Sequence, residues 1–166
     1  REKKIPAVIY SNGKPGDLVV VDAIEFQKLL NGVKKGHLST AKILLADDKH
    51  KERHVIVKDI QYNIVTYDVI HLDFEELHDH IPINLNIPIE CTGVADCAGV
   101  KLGGVLRMVI RQMRVNCLPK DIPASFKVDV TSMLLNDAKR LSDFTIPSTV
   151  RPLMKLNQVA IAIVKR

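Results

Sequence analysis

Apolar and polar residues alternate at 70–74 and 81–90 with the period of two that strands produce. Short β-branched or apolar runs at residues 5–10, 18–21, 42–46, 54–60 and 64–74 are separated by turn-forming pairs such as Asn12-Gly13, Pro15-Gly16 and Asp47-Asp48. They predict the strands of a small sheet or barrel. Between the second and third runs, Asp22 followed by Glu25 has the form of a capping box. Ile24, Leu29 and Leu30 then recur at near-helical spacing before Asn31-Gly32, which predicts one short helix. The run IHLDF at 70–74 carries most information. Strand geometry sends Ile70, Leu72 and Phe74 to a core side and His71 and Asp73 to a polar side.

Beyond a proline-containing stretch at 78–82 the pattern changes, and a boundary between residues 1–80 and 81–166 is expected there. Ile81, Ile83, Leu85, Ile87 and Ile89 alternate with polar residues and two prolines, which predicts an edge strand or an extended connection. A glycine-rich stretch at 93–104 reads as a β-rich loop or bulge. Residues 105–118 read as a strand, because their valines and alternation outweigh the helical-wheel stripe of Arg107, Arg111 and Arg114. Further strands are expected at 126–130 and 159–164. The fold class is mainly β.

Composition narrows the function classes. At 166 residues the chain can bury one good core or two small ones. No apolar run approaches the roughly 20 residues that span a bilayer, so no membrane association is expected. Three cysteines, Cys91, Cys97 and Cys117, form neither an even set nor a CxxC pair, which favours a reducing, cytoplasmic setting. The net charge of +5 is uneven. Residues 1–80 hold 12 Lys/Arg against 13 Asp/Glu, and residues 81–166 hold 12 against 6, giving −1 and +6. If the first half binds nucleic acid, placement of individual groups must matter more than bulk charge.

Several chemistries compete. His37, His50, His54, His71, His78 and His80 invite a metal-dependent or acid/base enzyme, yet their lysine-rich or turn-like surroundings and the lack of paired cysteines favour solvated surface histidines, with no metal and no cofactor. Gly93, Gly99, Gly103 and Gly104 match neither phosphate-loop pattern. No nucleophile elbow surrounds Cys117 or Ser142. Nucleic-acid binding draws on Arg1, Lys3 and Lys4 before a strand, Tyr10 at its end, and Lys58 and Gln61 on a neighbouring one. An ordinary solvated sheet face, or a β-rich protein-interaction module, uses the same residues equally well.

Longer motifs break this tie. RxxKIPAVIYS at 1–11, VKDIQ at 57–61 and IHLDF at 70–74 resemble the bacterial large-subunit ribosomal protein number twenty-five. GVKLGGVL at 99–106, VNCLPKDIP at 115–123, VDVTSM at 128–133 and LSDFTIP at 141–147 resemble its two-domain branch, which includes the general stress protein Ctc. The resemblance implies an N-terminal six-stranded β-barrel that binds 5S rRNA around loop E, followed by a second β-rich domain. It implies a place on the ribosome and a role in translation, not catalysis, and a monomer off the ribosome. Carried onto this chain, the RNA-contacting residues are Arg1, Tyr10, His71 and Asp73, with Lys4, Lys58 and Gln61 as weaker additions. The family's first strand and the basic residues preceding Arg1 are lacking, and the chain opens without a methionine, so upstream residues are expected.

The resemblance and the strand pattern together suggest a division of labour. Double-stranded RNA offers a wide, shallow minor groove on which a sheet face can lie. His71 and Asp73 would read base edges or 2′-hydroxyls, while Arg1, Lys4 and Lys58 position the protein on phosphates. For the second domain, other ribosomal RNA or a neighbouring ribosomal protein is the expected partner, with Arg107 and Arg111 as its basic pair.

Overall fold

A computed structural model describes residues 4–11, 15–34, 36–46 and 52–165. Arg1 therefore lies outside the described residues. The chain divides into two compact units, Arg1–Ile83 and Asn84–Arg166, both built mainly from strands.

The first unit comprises β1 (Lys4–Tyr10), β2 (Asp17–Asp22), α1 (Ala23–Gly32), β3 (Ile43–Ala46), β4 (Glu52–Tyr62) and β5 (Val69–Glu76). The strands form one sheet in the order β2-β1-β5-β4-β3, antiparallel except for the parallel β1–β5 pair. Alternation decides its faces. Ile5, Ala7 and Ile9 of β1, Val55 and Val57 of β4, and Leu72 and Phe74 of β5 join Phe26 of α1 in one core cluster. The sheet curls: Arg53 Nη1 of β4 reaches Asp17 Oδ2 of β2 at 2.6 Å, although β1 and β5 lie between them in strand order. The resemblance implies six strands. Five lie within the described residues, and since β2 and β3 each have one partner, the sheet keeps two edges there.

Helix α1 begins where Asp22 Oδ1 accepts from the backbone N–H groups of Ile24 (2.7 Å) and Glu25 (3.4 Å), satisfying donors that a first helical turn leaves unpaired. Its apolar stripe differs from the expected one. Phe26, with Leu29 and Leu30, faces the core, whereas Ile24 in the first turn is exposed.

Two further departures concern the β4–β5 hairpin. Residues 64–68, expected to be strand, form its turn, leaving Ile64 and Val65 90% and 85% exposed. Asn63 decides this outcome: its Oδ1 accepts from Val65 N (2.9 Å), and its backbone closes the hairpin through Asn63 N to Asp68 O (2.8 Å) and Tyr67 N to Asn63 O (2.9 Å). Ile70 is not a core residue either. The register steps from Gln61↔His71 to Tyr62↔Val69, making Ile70 the additional residue of a β-bulge, and it is 48% exposed.

The second unit takes in β6 (Ile83–Thr92), whose first residue closes the first unit, then α2 (Ala98–Lys101), β7 (Gly104–Met108) and β8 (Gln112–Cys117). It continues with β9 (Phe126–Asp129), β10 (Ala138–Arg140), β11 (Arg151–Pro152) and β12 (Val159–Lys165). These make a four-stranded sheet, β11-β8-β6-β9, and a three-stranded one, β10-β12-β7. Buried residues come from both, among them Leu85, Ile87, Met113, Val115, Phe126, Ile161 and Ile163.

Three expectations are corrected here. β6 is an interior strand despite Pro88. Ile89 N donates toward β8, to Arg111 O (2.9 Å), so the proline nitrogen faces the opposite side, where pairing with β9 begins only at Ile89↔Phe126. Residues 105–118 are two strands, not one, since Val109 N and Ile110 N both turn to Ala160 O and β8 joins the other sheet. The glycine-rich stretch contains helix α2. A Cβ on Gly99 would stand 2.9 Å from the Leu134 carbonyl carbon, and one on Gly104 only 2.6 Å from Leu135 Cδ2, so this motif fits because backbone and neighbouring side chains touch.

Candidate nucleic-acid interface

Strand β5 lies between β1 and β4, which puts its polar side at the centre of the first sheet. His71, Asp73 and Glu75 alternate with core residues Leu72 and Phe74, and so share the face turned away from the cluster. Register brings neighbours alongside. Gln61 and Asp59 of β4 pair with His71 and Asp73, and Val8 and Tyr10 of β1 pair with Asp73 and Glu75.

The central pair is close. His71 Nδ1 lies 2.9 Å from Asp73 Oδ1, with the two side chains 29% and 24% exposed. Both atoms are buried, and neither has a partner that satisfies hydrogen-bond directionality, so the pair is a close contact without a well-aligned N–H···O bond. No hydrogen bond to another described residue takes up His71 Nε2 or Asp73 Oδ2. An imidazole and a carboxylate, held side by side on a rigid strand, thus present donor and acceptor positions to whatever covers the sheet.

Lys58 reaches this face through a second irregularity. The register moves from Val57↔Phe74 to Asp59↔Asp73, leaving Lys58 as the additional residue of β4, and its Nζ contacts Glu75 Oε2 at 2.5 Å. Tyr10 is half exposed at the end of β1, with Gly16 against it: a Cβ there would lie 3.5 Å from Tyr10 Cδ1 and 2.9 Å from Val8 Cγ1. At the same end, Ser11 Oγ and His78 Nε2 are 2.8 Å apart, joining the chain after β1 to that after β5. Lys4 opens β1, four residues before Val8 and therefore roughly 13 Å along the strand from the level of Asp73.

Six expected residues, Lys4, Tyr10, Lys58, Gln61, His71 and Asp73, are described, and five of them cluster around β5 while Lys4 stands apart. Glu75 and Asp59 were missed. Glu75 was findable, since it continues the two-residue spacing of His71 and Asp73; Asp59 was not, because only the bulge at Lys58 brings it opposite Asp73. Among the described residues the face carries at least as many carboxylates as cations, which disfavours indiscriminate attraction to phosphate. Among the described residues no group of three His, Cys, Asp or Glu side chains is placed to hold a metal. In the second unit, Arg107 lies on β7 and Arg111 in the connection to β8, so the two do not form the expected pair on one strand.

The model of the ribosomal L25p family matches residues 1–74, and that of the ribosomal protein TL5 C-terminal domain matches residues 82–166. Similar proteins named large ribosomal subunit protein bL25 occur in Chlamydia trachomatis serovar D, at 49% identity, Chlamydia pneumoniae, at 48%, and Chlamydia caviae, at 47%. Each match extends over 162 residues, covering 98% of this chain and 87% of the relative. Both halves and nearly all of the length agree in order, and the chain belongs to the ribosomal L25p family, in the form that carries a TL5-type C-terminal domain.

Proposed function

We propose that this chain is a structural component of the bacterial large ribosomal subunit and binds 5S rRNA around loop E through the outer face of its first sheet. Family membership supports a ribosome-associated, cytoplasmic protein with ribosomal RNA as partner and a structural rather than catalytic role. The observation that carries the finer reading is the His71–Asp73 pair at the centre of a face that shows no cationic excess among the described residues. A carboxylate is repelled by phosphate unless it accepts hydrogen bonds, as from a guanine amino group or a 2′-hydroxyl, so Asp73 points to contact with base edges or sugars. Gln61 adds an amide beside His71, Tyr10 adds a half-exposed ring, and Lys58 and Lys4 supply the phosphate contacts.

The division of labour is tested by titrating Asp73→Asn and Lys58→Ala against a loop E fragment and a regular RNA hairpin at several salt concentrations. Asp73→Asn is expected to lose about 5- to 150-fold on loop E, corresponding to about 1–3 kcal/mol, and little on the hairpin. Lys58→Ala should weaken both RNAs alike and lower the salt slope by about 1. Equal, salt-like losses for the two variants would defeat the assignment.

A further inference from the structure

The second unit has a polar sheet face of its own. On β6, Asn84 and Asn86 alternate with buried Ile83, Leu85 and Ile87; on β8, Gln112, Arg114 and Asn116 alternate with buried Met113, Val115 and Cys117. Asn116 Nδ2 donates to Asn84 Oδ1 at 2.7 Å, so the two polar rows share one face. That contact and the Ile89–Arg111 hydrogen bond fit a single antiparallel register, which places Asn86 opposite Arg114. Arg151 of β11 pairs with Asn116 and extends the face by one strand. The result is a patch of amides and guanidinium groups on three adjacent strands.

Its charge is one-sided. The six carboxylates of residues 84–166 are Glu90, Asp96, Asp121, Asp129, Asp137 and Asp143, and none lies on β8, on β11 or before position 90 of β6. Glu90, at the far end of β6, accepts from Ser125 Oγ at 3.0 Å. Arginine suits phosphate because its planar fork is always charged and can bond two oxygens at once, and asparagine and glutamine both donate to and accept from base edges or 2′-hydroxyls.

We infer that this face, with Asn84, Asn86, Arg114, Asn116 and Arg151 at its centre, is a second RNA-binding surface that takes double-helical RNA. The restriction to double-helical RNA follows from the aromatic residues. Single strands are held by stacking bases on aromatic rings, and the second unit has only Phe126 and Phe144, both buried. A duplex, in contrast, offers phosphates to two arginines and a shallow groove to amides. None of these residues belongs to the face around His71 and Asp73, so this surface stands whether or not that one reads loop E.

The test titrates the full chain, and the full chain carrying Arg114→Gln with Arg151→Gln, against a regular 20-base-pair RNA duplex, a single-stranded oligouridylate of equal length, and polyglutamate. Duplex affinity should fall about tenfold or more in the double variant and the salt slope by about 2, one per lost phosphate contact, while His71→Ala preserves that difference. Asn86→Asp, which sets a carboxylate opposite Arg114, should weaken the duplex as well. Because the substituted side chains are exposed, melting temperatures should match the parent, separating lost contacts from lost fold. Equal duplex binding by parent and double variant overturns the inference. So does arginine-dependent binding of oligouridylate as tight as that of the duplex, and arginine-dependent binding of polyglutamate tighter than either RNA would assign the face to an acidic protein instead.

Discussion

Lys58 Nζ lies 2.5 Å from Glu75 Oε2, tying the additional residue of β4 to the central strand of the first sheet. Glu75 therefore offsets the charge of Lys58 and adds negative charge to the face that holds His71 and Asp73. Glu75→Gln is expected to tighten 5S rRNA binding several-fold and to steepen its salt dependence by about one phosphate contact. Weaker or unchanged binding across a salt series would separate Glu75 from the RNA-facing surface.

The glycines of GVKLGGVL predict stability effects independent of RNA. A methyl group on Gly104 would approach Leu135 Cδ2 at 2.6 Å, the Gly99 carbonyl oxygen at 2.7 Å and Ile163 Cγ2 at 2.7 Å. Gly104→Ala should cost about 1–3 kcal/mol through overpacking. Gly32 has nothing within 4 Å of the same position, and Gly32→Ala should be neutral or slightly stabilising. Denaturant midpoints of the two variants, measured with the parent, check the contrast.

Acid should unfold the second unit partly through Asp143. Its carboxylate accepts from Arg140 N at 2.9 Å and Ser142 Oγ at 3.1 Å, and these bonds, helped by the nearby charges of Lys139 and Arg140, hold its pKa below the usual value of 3.8. A group whose pKa is lowered by folding contributes stability above its unfolded pKa and loses it as pH falls through the folded one. Asp143→Asn should therefore melt less steeply with acidification below about pH 4 than the parent. Identical slopes in thermal melts between pH 5 and pH 2 would count against this.

Thiol chemistry offers a simple check of burial. Cys97 and Cys117 are buried, Cys97 Sγ approaches Met133 O at 3.5 Å, and burial raises the Cys91 thiol pKa. The native chain should react slowly with a thiol-specific reagent at neutral pH and yield three equivalents only after denaturation. Rapid native labelling of more than one equivalent would contradict the burial of Cys97 and Cys117, since Cys91 is only partly buried.

How much of this could be read from sequence depended on whether a residue's position was decided locally. β1 was legible as a short β-branched, apolar run and the Leu72–Phe74 portion of β5 by its alternation, both of which match a half-buried strand. Ile64 and Val65 carry the same propensity and yet stand in a turn, since one Asn63 side chain capping two backbone donors outweighs it. Ile70 and Lys58 were misread or underspecified for a common reason: a bulge is set by the partner strand, which the local pattern does not contain. The break between Met108 and Gln112 likewise depends on Ala160, some fifty residues onward in the chain, accepting two backbone hydrogen bonds. The candidate site residues were proposed from motifs, and only strand register shows how they are arranged.

The parallel pairing of β1 with β5 has a consequence for biogenesis. Val8 and Asp73 become neighbours only after the helix, β3 and the whole β4–β5 hairpin have been made, because β5 pairs with both β4 and β1. Neither an unfinished chain nor one in which β5 fails to dock can assemble the His71–Asp73 surface, so the RNA would engage a completed unit and pass over its precursors. On the proposed function, RNA binding at this face would therefore select folded chains over unfinished ones.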